Sequence, residues 1–200
     1  MLLSLFITWI SKSLITEMAF YNTYSEQFTY DRSIAIFESM KRMEWISYAF
    51  TPIFLLLKFT LISVVLYTGI FFYNLIHKIS FGDIFRIVIA CEIVFLLASF
   101  VKFIWFFLFA GNYDLNDLGF FYPLSLINLF RISQVDKIWR YPMQVLNLFQ
   151  IIYIVLLSFG IRHFCHVNDS DSDKVVLSSY LPALFIWIAL IMFVTIEAGL

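Results

Sequence analysis

Residues 141–161, YPMQVLNLFQIIYIVLLSFGI, carry no charge over the 21 positions between Arg140 and Arg162. Residues 175–196, VVLSSYLPALFIWIALIMFVTI, repeat the pattern over the 22 positions between Lys174 and Glu197. Coiled as a helix, either run is long enough to cross a hydrocarbon core of roughly 30 Å. Two such runs in one chain of 200 residues point to a bilayer rather than water as the surrounding solvent. The expected fold class is therefore all-α, a polytopic membrane helix bundle.

Working outward, two more spans come into view. Residues 45–76 hold one charge, Lys58, and residues 84–110 are interrupted only by Arg86, Glu92 and Lys102. The expected crossings are about 51–76, 85–110, 141–161 and 175–197. Lys58 is expected near an interface, its ammonium extended to water. Lys78, Gly82 and Asp83 read as a turn, GNYDLND (111–117) as a loop, and 162–174 as a polar loop. Residues 118–130 are uncharged for 13 positions, too short to cross, and 118–132 is expected as a re-entrant or surface helix begun by Pro123.

The first 46 residues differ in character from the bundle at 47–200. Residues 1–18 read as an interfacial or bundle-packed helix, with Lys12 after its apolar run rather than before it, unlike a cleaved signal. Residues 20–33 read as a loop. From Ser33, a capping residue, Glu38, Lys41, Arg42 and Glu44 alternate with Ile34, Phe37, Met40 and Trp45, which predicts an amphipathic helix at the membrane surface. With both termini in the cytoplasm, inner loops hold seven Lys or Arg and outer loops four, which favours that orientation.

Composition narrows the function. Hydrophobic residues make up 62% of the chain and charged residues 14%, and the formal net charge is -1. No basic face is available for nucleic acid. Cys91 lies in an apolar stretch and Cys165 in a polar one, so no disulfide between them is expected. No phosphate-cradling glycine loop, nucleophile elbow or paired zinc histidines appears, so no catalytic residue, cofactor or metal ligand is assigned. The segment His163-Phe-Cys-His166-Val-Asn-Asp169-Ser-Asp171-Ser-Asp173 collects metal-binding side chains. Its spacing nevertheless fits neither a closed zinc site nor a calcium loop, and a solvated turn is the plainer reading. Asn168-Asp-Ser170 is formally a glycosylation acceptor.

The polar groups inside the apolar runs remain. Glu92 and Lys102 stand ten positions apart on one helix, about 15 Å along its axis, too far to pair. Each must face the bundle and find a partner, because an ionised group at mid-bilayer costs about 2.5–3.5 kcal/mol. Matched depths set Lys102 roughly level with Asn147, and Glu92 roughly level with Ser158 and Tyr180, which predicts polar contacts between the second span and the third and fourth. Gln144, Asn147 and Gln150 recur every three positions as a polar stripe on the third span. Lys58, Glu92, Lys102, Gln144, Asn147, Gln150, Ser158 and Tyr180 thus form the expected intramembrane polar network. Its plain reading is a hydrogen-bonded packing device; its functional reading is a proton- or ion-responsive path.

Tyr122-Pro-Leu-Ser-Leu-Ile-Asn-Leu-Phe-Arg-Ile132 recurs as Tyr141-Pro-Met-Gln-Val-Leu-Asn-Leu-Phe-Gln-Ile151, identical at six of eleven positions. The echo predicts two helices that enter the membrane alike. FYPLSLINLF and YPMQVLNLFQIIYIVLLSFGIR, with SFGDIFRIVIACEIVFLLASFVKFIW, resemble the Ypt-interacting-protein family over residues 45–197, chiefly in hydrophobic spacing. The eukaryotic branch implies five spans and Rab-type GTPase partners, and its Asp-Leu-Tyr-Gly-Pro motif is not in this sequence. The resemblance implies instead the bacterial branch, and so a bacterial inner membrane. The expected function is a non-enzymatic scaffold, assembly factor or accessory subunit, bound to the lipid bilayer and to other integral membrane proteins or a second copy. A transporter or channel subunit is the alternative.

Overall fold

The computed structural model describes residues 2–75, 77 and 79–198. Ile76 and Lys78 fall outside the described residues, and with them the expected end of the first span and part of the expected turn. Every regular element among the described residues is helical: α1 (Leu2–Ser13), α2 (Glu17–Tyr24), α3 (Tyr30–Arg42), α4 (Glu44–Phe72), α5 (Phe81–Cys91), α6 (Ile93–Leu108), α7 (Leu115–Phe120), α8 (Lys137–Val145), α9 (Leu148–Cys165), α10 (Asp169–Val175) and α11 (Leu181–Glu197). Glu92 joins α5 to α6, and a π-turn at Val176–Tyr180 joins α10 to α11. Four continuous stretches are then long and apolar enough to cross a membrane: Glu44–Phe72, Phe81–Leu108, Leu148–Cys165 and Asp169–Glu197. The all-α bundle is as expected, and it is compatible with a multi-pass integral membrane protein.

Several boundaries differ from expectation, each for a local reason. The N-terminal segment is two helices rather than one: Thr16 adopts extended backbone and accepts a bond from the Ala19 N–H, starting α2 at Glu17, and that helix runs on into the expected loop. Thr29, not Ser33, is the N-cap residue of α3, and Ser33 is buried within that helix. The first long helix stops at Phe72, where Asn74 takes the left-handed conformation. The Leu75 N–H then bonds to the Ile70 carbonyl and the Asn74 N–H to that of Phe71. Gly82 and Asp83 belong to a helix rather than a turn, because Ser80 and Asp83 form a capping box that opens α5 at Phe81.

The third crossing begins at Leu148, not at residue 141. Pro142 lies inside α8, and the chain breaks at Leu146 before Asn147 caps α9. The expected polar loop 162–174 is mostly helical as well, since α9 continues to Cys165 and α10 resumes at Asp169. Residues 118–132 do not make one partial helix. Asp114 and Asp117 cap the short α7, which ends at Phe120, and Leu124 then takes positive φ. The two copies of the echo accordingly do not enter alike. Leu124–Leu126 instead pairs antiparallel with Leu146–Leu148, through Leu126 N–H to Leu146 O at 3.0 Å and Leu148 N–H to Leu124 O at 3.1 Å.

The chain forms two compact units, Met1–Leu55 with Leu96–Pro123, and Leu56–Phe95 with Leu124–Leu200. The first contains all of residues 1–46 together with later sequence. Its core gathers Leu14, Phe106 and Leu118, with Tyr113 donating its hydroxyl to the Leu14 carbonyl at 2.8 Å. The second unit is built on close helix contacts. A Cβ placed on Gly160 of α9 would come within 2.5 Å of Ile87 Cγ2 on α5, and one on Gly69 of α4 within 2.8 Å of Ser179 Oγ on the π-turn. At both positions only hydrogen leaves room for the side chain that packs onto the glycine.

Candidate functional site

The second unit brings polar residues from all four long helices into a single cluster. Lys58 lies at the midpoint of Glu44–Phe72, and Glu92 sits in the middle third of Phe81–Leu108. Lys58 Nζ donates to Glu92 Oε1 at 2.6 Å and stands 4.5 Å from the centre of the Phe95 ring, a cation–π contact. Phe95 in turn packs on Tyr153 of α9 at 4.9 Å, and Tyr153 on Tyr180 of the π-turn at 5.7 Å. Gln150 Nε2 donates to the Tyr180 hydroxyl at 2.9 Å.

Burial divides the cluster unequally. Glu92 is 2% exposed and Tyr153 is fully buried, whereas the Lys58 side chain is 42% exposed. Glu92 Oε2 and the Tyr153 hydroxyl lie inside without a hydrogen-bond partner among the described residues. Half of the carboxylate is thus committed to an ion pair, and its other oxygen remains able to accept a proton donor.

Backbone irregularity falls at the same level. At Glu92 the N–H is shared between the Val88 and Ile89 carbonyls, at 3.2 and 3.3 Å, a tightening that separates α5 from α6. Tyr180 closes a π-turn, the wider counterpart of that tightening. Departures of both kinds inside long helices concentrate at functional positions.

The expected network is only partly assembled. Lys58 pairs with Glu92, while 42% of its own side chain stays exposed. Ser158 does not meet Glu92; its hydroxyl donates to the Asp173 carboxylate of α10. Tyr180 does join the cluster, bonded to Gln150 rather than to Glu92. Lys102, expected level with Asn147, bonds to backbone of its own unit. It belongs to the first unit and donates to the Leu118 carbonyl, near the C-terminus of α7, where a cation complements the helix dipole.

Gln144, Asn147 and Gln150 form no stripe on one helix. Asn147 accepts from the Gln150 N–H at 2.7 Å and donates to the Gln144 carbonyl at 2.8 Å, so the trio builds the joint between α8 and α9. Gln150 also reaches the cluster. Next to that joint, Trp187 Nε1 donates to the Tyr141 hydroxyl at 2.8 Å, tying α8 to α11. Burial holds the Tyr141 phenol above its ordinary pKa, with the Trp187 bond pulling the other way.

Phe95 and Tyr153 were missed from sequence, although each stands three residues beyond a polar residue that was singled out, Glu92 and Gln150. That i, i+3 spacing was the available signal. In the metal-like segment the carboxylates meet protein groups instead: Asp173 meets Ser158, Asp169 meets Arg162 at 3.2 Å and Asp171 meets Lys174 at 3.8 Å. Cys91 and Cys165 are free thiols. Among the described residues no group of three or more His, Cys, Asp or Glu side chains is placed to hold a metal. Models of known protein families, curated proteins and solved structures give no match to this chain.

Proposed function

We propose that this chain is a non-enzymatic scaffold, assembly factor or accessory subunit of a membrane complex, and that a partner helix covers α4 at Lys58. The observation that carries the reading is the unequal burial of the Lys58–Glu92 pair. An ammonium at mid-span left against acyl chains costs about 2.5–3.5 kcal/mol. Leu57 and Leu61, on either side of Lys58, are each more than half exposed, and only 17% of the apolar stretch of α4 is buried. A neighbouring helix laid on this face would shield the cation while leaving Glu92 as its internal counter-ion. The bacterial branch of the Ypt-interacting-protein family, a bacterial inner membrane and cytoplasmic termini complete the reading. The hydrophobic spacing of residues 45–197 and the distribution of Lys and Arg support them.

Extraction in a mild detergent followed by size-exclusion chromatography tests the proposal. The expected result is a stoichiometric membrane partner or a homo-oligomer that dissociates when Leu61→Arg is introduced on the α4 face. A stable monomer of the unaltered chain contradicts it.

The tightened turn at Glu92 and the π-turn at Tyr180 favour a second reading, a transporter or channel subunit in which the cluster is a waypoint for protons or ions. Purified protein in liposomes would then support a flux that Glu92→Gln abolishes. Equal flux in both proteins rules that reading out.

A further inference from the structure

The first unit carries a groove of about 650 Å³ between α1, α2, α3 and the first turns of α4. Four charged residues line it, Lys12 and Lys41 with Glu17 and Glu44, and Trp9 and Tyr48 flank them. Phe37 supplies a buried apolar patch. Among the described residues the side chains of Lys12, Glu17 and Lys41 have no hydrogen-bond or ion-pair partner, and Glu44 meets only the Tyr48 hydroxyl at 3.4 Å. Opposite charges thus share one concavity without neutralising each other. The groove also opens where the first long apolar helix begins, the level at which headgroups lie if that helix crosses a bilayer. Trp9 and Trp45, both more than half exposed there, are side chains suited to that level.

We propose that this groove binds the headgroup of a phosphoethanolamine lipid. Such a headgroup is a zwitterion whose two charges match the two pairs of side chains. Lys12 and Lys41 take the phosphate oxygens, and Glu17 and Glu44 take the primary ammonium, which offers three hydrogen-bond donors. A purely anionic headgroup would meet the two carboxylates unfavourably. A choline headgroup has no N–H to donate to them. The apolar patch at Phe37 and the aromatic flank then receive the glycerol and the upper acyl carbons. The assignment rests on the long helices crossing a bilayer but not on any protein partner.

Native mass spectrometry of the full chain in detergent tests it, with phosphatidylethanolamine, phosphatidylcholine and phosphatidylglycerol of identical acyl chains added in equal amounts. The expected result is retention of the ethanolamine lipid at least about fivefold above either of the others. The double variant Lys12→Gln/Lys41→Gln should lose that retention, and Glu17→Gln/Glu44→Gln should reduce the ethanolamine lipid to the level of the choline lipid. Equal retention of all three lipids by the unaltered chain overturns the proposal without recourse to any variant. So does a preference for the glycerol lipid, or a preference for ethanolamine that survives both double variants. A chain that stays monodisperse in buffer without detergent would instead overturn the bilayer placement itself, and the two failures are therefore distinguishable.

Discussion

Glu92 is the residue on which the second unit turns. With Oε1 held by Lys58 and the side chain almost wholly enclosed, its charge depends on one partner. Removing Lys58 strands a buried carboxylate, and breaking a buried pair in this way costs about 3–5 kcal/mol. Lys58→Met is expected to lower stability by an amount of that order in denaturant titrations of the reconstituted protein. Glu92→Gln should cost less, since the amide oxygen can still accept from Lys58, which also keeps the Phe95 ring. The double variant Lys58→Met/Glu92→Met should recover most of the loss, because no charge then remains inside. A double variant as unstable as the sum of its parts contradicts a coupled pair. The sequence shows plainly that Glu92 and Lys58 are charges in apolar runs. Their pairing was not legible, because the depth of Lys58 suits a snorkelling side chain as well as a buried one, and only the packing of α4 against its neighbour decides between them.

Helix joints, more than helix interiors, separate expectation from structure. The proline at 142 suggested a helix start, yet it sits within α8, and Asn147 starts the crossing. The signal was present in Asn147-Leu-Phe-Gln150, a cap residue followed by glutamine at the third helical position. Asn147→Ala should therefore lower stability by about 0.5–2 kcal/mol, the usual value of such a cap, while Asn128→Ala, its counterpart in the echo, should not act through a cap. The π-turn at Val176–Tyr180 left no mark in the hydrophobic pattern, since an extra residue in one turn does not interrupt an apolar run. The close approaches at Gly69 and Gly160 were equally silent, because a lone glycine does not reveal what faces it. Gly160→Ala drives a methyl into Ile87 and is expected to cost about 1–3 kcal/mol. Adding Ile87→Ala, which clears the space, should return part of that loss in the same titration.

For the whole molecule, the four long apolar helices were legible from the lengths of uncharged sequence alone, and hydrocarbon thickness makes that inference strong. Which residues meet was much less legible, because facing depends on where each helix starts, and the starts of the second and third long helices were displaced by capping side chains. The account as a whole asserts that four helices cross a bilayer and that Lys58, Glu92, Tyr153 and Tyr180 meet at one level within it. Leu57, Ile93, Ile151 and Leu177 are exposed residues close in sequence to those four, one on each long stretch. Nitroxide labels placed singly at these positions, in a background with Cys91 and Cys165 replaced, report depth in liposomes through their collisions with oxygen and with a water-soluble nickel chelate. The account predicts that all four labels collide strongly with oxygen, weakly with nickel, and at closely similar depths in the hydrocarbon. Free access of nickel to any of them, or labels scattered between the two faces of the bilayer, would contradict it.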